Sequence, residues 1–231
     1  MDAVTTDLAP GLWRRALAEC LGTGLLVAVV VGSGIAAQRW SPDDVGLQLL
    51  ESSLATALGL SVLILAFQPI SGAHFNPLVT LADRVLGARL SAGTVVTLIL
   101  AQLVGAVGGA VLANAMFGVA TTISGKDRLD VGGLLGEVVA TAVLVLLVFA
   151  LVRTGRAALA GPAVGAYIGA AYWFTSSTSF ANPAVTIGRI LSDTFAGIAP
   201  PSALAFVGAQ LVGAVIGIGL VRLLLPRKAR P

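Results

Sequence analysis

Ser71-Gly72-Ala73-His74-Phe75-Asn76-Pro77-Leu78-Val79-Thr80 and Ser179-Phe180-Ala181-Asn182-Pro183-Ala184-Val185-Thr186 each open a segment too short to cross a bilayer, yet each lies among segments long enough to do so. In both, Asn suits the residue that caps a helix and Pro suits the first helical position, where a missing N–H costs nothing. Each stretch is expected to be a loop that dips into the membrane and starts a half-helix. A single Asn-Pro often marks a plain turn. Two, at matching places in a duplicated chain, carry much more weight.

The surrounding sequence repeats. Glu19-Cys20-Leu21-Gly22-Thr23 is echoed by Glu137-Val138-Val139-Ala140-Thr141, and Ala101-Gln102-Leu103-Val104-Gly105-Ala106-Val107 by Ala209-Gln210-Leu211-Val212-Gly213-Ala214-Val215. A spanning helix needs about 20 apolar residues. Six segments qualify, near 13–37, 47–68, 91–117, 132–153, 159–177 and 202–225. Each half holds three spans, an odd number, so the halves lie in opposite membrane orientations. The expected fold is an all-α membrane protein of six spans and two re-entrant half-helices in an inverted repeat. That architecture places a site at the bilayer midplane.

Composition agrees. The 231 residues are 57% hydrophobic and 11% charged, with a mean hydropathy of +0.96. A soluble domain of this size could not hide so much apolar surface. The net charge of +3 does not point to a nucleic-acid partner, because the charges lie between and beyond the apolar segments. Arg14, Arg15, Arg84, Arg89, Arg153, Arg156, Arg222, Arg227, Lys228 and Arg230 fall on one side, against Arg39, Lys126, Arg128 and Arg189 on the other. The positive-inside rule then puts both termini in the cytoplasm. Asp2 and Asp7 precede the first arginines and no short apolar run ends in a cleavage site, so no signal peptide is expected. Cys20 stands alone, reads as a small buried hydrophobe and allows neither a disulfide within the chain nor a thiolate cluster.

Irregular backbone at membrane depth is tolerated only when buried in protein or bordering a wet cavity. Two half-helices entering from opposite faces imply such a cavity, with their N-termini meeting near its centre. Those ends carry partial positive charge and unpaired N–H groups. Asn76 and Asn182 would add side-chain donors to this waist. It should orient neutral hydrogen-bonding solutes and repel cations.

With Ala18-Glu19 and Gly22-Thr23, SGAHFNPLVT at 71–80, NPAV at 182–185 and the two Gln-containing repeats, the chain resembles the aquaporin (major intrinsic protein) superfamily along its whole length. The resemblance implies a single channel domain over 1–231, with repeats of about 12–117 and 131–225, right-handed helix packing, a pore in each protomer and a homotetramer in the bilayer. Two departures stand out. The first Asn-Pro is followed by Leu78 in place of the usual Ala, a matter of local repacking. After the second Asn-Pro-Ala the family usually places an Arg that charges an outer constriction. Here the position is Val185. Matching the family pattern puts the other filter walls at Leu58, at Tyr172 or Trp173, and at Ser179. Such a filter should be wider, less polar and less positive. Combining NPLV, NPAV and Val185, the chain resembles an aquaglyceroporin-like bacterial branch associated with arsenic-resistance gene clusters. That implies an inner-membrane channel for metalloid hydroxides such as arsenous acid, for glycerol-like polyols and for water. An orthodox water channel is the alternative within the class.

Arg189, four residues after Val185, has two readings. It either reaches back to restore the missing charge or ends an exposed helix paired with Asp193, and the second is the expectation. Glu19 and Glu137 are ionisable groups inside spans, which raises a proton-coupled transporter as a different class of function. Their matched positions instead favour carboxylates that accept from the backbone of the half-helix loops. His74 is expected to fix its loop with one side toward the cavity, or to gate with pH. One histidine with no nearby thiol or carboxylate cluster makes no metal site, and no cofactor motif is present. A structural, junction-forming protein with a poor pore is the third class. No phosphate-binding loop or catalytic constellation appears, so neither ATP-driven transport nor an enzyme is expected.

Overall fold

The structure is a computed structural model in which residues 10–226 are described. Asp2, Asp7, Arg227, Lys228 and Arg230, which entered the charge count, lie outside those residues.

Among the described residues, six helices are long and apolar enough to cross a membrane. They are α1 (Leu12–Trp40), α2 (Val45–Ser71), α4 (Ala92–Met116), α5 (Val131–Arg153), α6 (Ala160–Phe174, preceded by a 3-10 turn at Ala157–Leu159) and α8 (Pro200–Leu224). Two short helices, α3 (Pro77–Leu86) and α7 (Pro183–Arg189), open at the two Asn-Pro pairs. Side chains set most of the starts. Asp44 accepts from Leu47 N, Ser91 from Thr94 N and Asp130 from Gly133 N. Asn76 and Asn182 do the same for α3 and α7, each cap being worth about 1 kcal/mol. α6 stops three residues short of the expected boundary. The Thr175 hydroxyl donates back to Ala171 O and Ser177 Oγ takes Ser179 N, so local side chains displace the helical ladder.

Within each half the outer pair of spans packs closely. A Cβ on Gly105 would lie 2.1 Å from Cys20 O, and one on Gly109 2.0 Å from Gly24 O, so α1 and α4 touch backbone to backbone. Cys20 is half-buried, more open than its sequence suggested. Val27, Val31, Ala106 and Ala110 are buried between the elements, whereas Leu54, Val62, Val104 and Val215 stand exposed on the outer faces. Water would penalise such a surface and hydrocarbon does not.

Candidate functional site

The two re-entrant loops are built on the same plan. Glu19, fully buried on α1, accepts through Oε1 from Ser71 Oγ (2.6 Å) and His74 N (2.9 Å), and through Oε2 from Phe75 N and Gln102 Nε2 (both 2.7 Å). Glu137, fully buried on α5, accepts from Phe180 N and Ala181 N (both 2.8 Å) and from Gln210 Nε2 (2.6 Å). Each Gln also donates to a threonine, Thr80 or Thr186. Those threonine hydroxyls in turn donate to Asn76 O and Asn182 O. Neither carboxylate borders the central cavity. Both act as acceptors for backbone that leaves helical geometry inside the membrane.

This anchoring holds unfavourable conformations. Ala73 and Phe75 in one loop, and Thr178, Ser179 and Ala181 in the other, have φ between 48° and 60°, each costing roughly 1 kcal/mol or more in a non-glycine residue. Phe75 is accommodated only because position 22 is glycine. A Cβ there would lie 1.9 Å from the ring.

The loops then cross-link. Asn76 Nδ2 donates to Ala181 O (2.8 Å) and Asn182 Nδ2 donates to Phe75 O (2.7 Å). An amide nitrogen carries two hydrogens. With one committed to the opposite loop, each Asn keeps one donor where it borders the cavity.

The cavity has a volume of about 270 Å³ and runs past both asparagines. Its walls repeat every four residues. α2 contributes Thr56, Leu60, Ile64 and Gln68, and α6 contributes Ala160, Val164, Ile168 and Tyr172. Leu144, Val148 and Val152 of α5 continue the pattern, as do Val79 and Asp83 of α3 and Val185 and Arg189 of α7. Steps of four keep one face of a helix turned to the lumen. This stripe corrects one sequence assignment and separates the two aromatics that the sequence left open. Leu58, two residues off the α2 stripe, is 69% exposed on the outer face, and Thr56 borders the cavity instead. Of the aromatic pair, Tyr172 is buried against the cavity, its hydroxyl 3.1 Å from Thr56 Oγ1. Trp173 is half-exposed and donates its indole N–H to Ser53 Oγ. The sequence reading missed Thr56 and Asp83. The fourfold stripe could have found the first, and the second stands as far past Asn76 as Arg189 stands past Asn182.

At the mouth on the side of the termini, His74 Nδ1 lies 3.1 Å from Thr80 Oγ1 and Nε2 lies 3.6 Å from Asp83. At the far mouth, Ser179 borders the cavity with a buried hydroxyl that has no partner. Arg189 departs from expectation. It is 3% exposed, donates Nε–H to Ala196 O, and places its guanidinium carbon 3.5 Å over the Phe180 ring centre. Asp193 is not its partner, because that carboxylate accepts from Ser124 Oγ and Gly125 N. The expected pairing of Arg189 with Asp193, four residues on, fails for a physical reason. α7 ends at Arg189, the backbone turns through Ile190 and Leu191, and residues 192–197 fold back over the helix end. Lys126 and Arg128 sit nearby, donating to Phe195 O and to Gly197 O and Phe195 O. Burial first, then the charges of Arg128 and Arg189, lower the Lys126 ammonium to about 8.

A family model described as Major intrinsic protein matches residues 8–181. Aquaglyceroporin AqpS of Rhizobium meliloti (strain 1021) is 47% identical over 221 residues, spanning 95% of this chain and 93% of that protein. The glycerol uptake facilitator protein of Pseudomonas aeruginosa is 31% identical over 262 residues, spanning 96% and 92%. Among solved structures, the aquaglyceroporin from Plasmodium falciparum superposes with a TM-score of 0.72 at 22% identity, over 91% of this chain and 96% of that one.

Proposed function

Because the chain belongs to the major intrinsic protein family, whose members are channels and not enzymes, we propose that it passes small uncharged solutes of the polyol and metalloid-hydroxide kind, glycerol and arsenous acid among them, with water alongside. The cavity carries this reading. It is walled by Leu, Val and Ile and offers polar groups only at Asn76, Asn182 and the two mouths. Such a lumen suits a solute with several hydroxyls that can trade hydration for a few well-placed partners while its carbon or metalloid core meets apolar wall. Val185 leaves the wall short where a longer side chain would narrow it. Two relatives spanning nearly the whole chain, an aquaglyceroporin and a glycerol facilitator, support the same class.

The filter proposed is Thr56, Tyr172, Ser179 and Val185, and the waist is Asn76 with Asn182. Nothing in this arrangement calls for coupling to protons. Glu19 and Glu137 are saturated with backbone and amide donors away from the lumen. The proposed setting is a bacterial inner membrane, with the termini in the cytoplasm and four copies assembled side by side.

Stopped-flow light scattering on proteoliposomes tests the proposal by comparing water, glycerol and arsenous acid with empty vesicles. Solute flux well above background, weakly dependent on temperature and indifferent to a pH gradient, is expected. Water flux alone would defeat the solute assignment, and flux driven by a pH gradient would defeat the passive one.

A further inference from the structure

We infer that Arg189 is the residue that bars cations from this pore, acting one helical turn outside the Val185 wall, so that size selection and charge selection fall on different residues. The inference deepens the neutral-solute reading and rests on it.

Four observations carry it. Arg189 lies four residues beyond Val185 on α7 and borders the same cavity. Its position is fixed from two sides. Nε donates to Ala196 O, and the guanidinium plane rests on Phe180, itself held edge-on by Phe206 at 5.2 Å. No carboxylate lies within salt-bridge distance of it among the described residues, where the one such contact is His74–Asp83. A buried guanidinium held by a carbonyl and a π face has no carboxylate in contact with it to neutralise its charge. Finally, the Ser179 hydroxyl at the same mouth is buried with no hydrogen-bond partner among the described residues, so it does not engage the guanidinium.

Chain symmetry sharpens the point. From each Asn the chain reads Asn-Pro-Leu-Val-Thr-Leu-Ala-Asp and Asn-Pro-Ala-Val-Thr-Ile-Gly-Arg. Val79 and Val185 are therefore counterparts, and so are Asp83 and Arg189. All four border the cavity. The apolar wall occurs on both sides of the waist. What distinguishes the two ends is the sign of the charge one turn further out. Asp83 has His74 beside it, whereas Arg189 faces the lumen as an unpaired cation.

A unit charge about one turn, ~5.4 Å, from a permeating cation at an effective dielectric near 20 corresponds to roughly a hundredfold in rate. In proteoliposomes, Arg189→Leu is expected to raise sodium and proton leak at least about tenfold over the unaltered protein, while glycerol flux stays within about threefold. Arg189→Lys is expected to leak no more than the parent. The deciding variant is the double change Val185→Arg with Arg189→Leu, which moves the cation one turn inward. It is expected to suppress the leak at reduced glycerol flux. A purely structural role for Arg189, through Phe180 and Ala196, would not be rescued in that way. Should the leucine variant fail to insert, Arg189→Gln, which keeps a donor for Ala196 O without charge, is read identically. The inference is overturned if neutralising Arg189 produces no leak, or if the double variant leaks as much as the single. A parent protein that passes only water would defeat the solute reading and leave the leak comparison intact.

Discussion

The loop before α3 and the loop before α7 share their anchors and differ in what they show the lumen. Each is pinned by a buried Glu from the first span of its half and by a Gln from the third. Each places an Asn so that its amide reaches the opposite loop. Even the orphans match. Thr23 and Thr141 each leave a buried hydroxyl unpaired, and Gln102 and Gln210 each leave a buried carbonyl oxygen unpaired. The charged tips diverge. The first loop and α3 present His74 and Asp83, the second loop and α7 Ser179 and Arg189. Structure that must hold broken backbone in an apolar medium tolerates little variation, while the tips are free to set what passes.

Cutting the anchors should have the largest effect. Glu19→Ala and Glu137→Ala each orphan several buried donors and release residues held at positive φ. Each is expected to lower stability by about 3–5 kcal/mol, read as the midpoint of thermal unfolding in detergent. Ser71 bonds Glu19 as Ser177 bonds Glu137, so the two losses should be of similar size. A mild effect at one site and a severe one at the other would break the symmetry argued here. Next in size, Val79→Arg and Val185→Arg put long cations at counterpart positions on either side of the waist. Both are expected to cut glycerol flux about tenfold or more, since one misplaced bulky group fills a lumen this narrow. Obstruction by only one would show that a single side sets the width.

Asp83→Asn sharpens the contrast in charge. It removes the carboxylate beside His74 but leaves Arg189 in place, so cation leak should stay within about twofold of the parent while glycerol still passes. Leak as large as that of an Arg189 variant would mean that the barrier does not reside at the far mouth. The smallest effect concerns Lys126. Its ammonium is lowered to about 8, burial being the main cause. It is therefore charged at pH 7 and mostly neutral at pH 9. Raising the pH on that side should weaken cation exclusion by about twofold, an effect that Lys126→Met removes. The sign follows from the direction of the shift, since loss of a proton takes positive charge from the mouth.

Much of this was legible in the residues. The six spans, the two Asn-Pro half-helices and the pairing of Glu19 with Glu137 came from hydropathy and repetition, and the helices lie within a few residues of the expected bounds. Which face of a span turns inward was harder to read. On α2 the buried residues Gln48, Ser52, Thr56, Leu60 and Ile64 recur every four positions and mark the inward face, whereas Leu58 was placed by motif matching two residues away from Thr56. Tyr172 and Trp173 are adjacent aromatics, and only packing against α2 separates them. Arg189 was misread because helix periodicity was carried past the end of α7. The counterpart spacing of Asp83 and Arg189 was present in the sequence throughout and needed only the two half-helices to be read in register.

The crossed amide bonds also bear on biosynthesis. Asn76 donates to a carbonyl 105 residues later in the chain, and Asn182 to one 107 residues earlier. A ribosome that has delivered only the first three spans has made a half whose central loop lacks its partner. That half must wait in the membrane, its amide facing lipid, water or the translocation machinery, until the sixth element of the fold has passed. Completion of the midplane is therefore a late event in the life of the nascent chain, and slowing translation between residues 120 and 180 should lengthen the interval in which the protein is open to proteolysis.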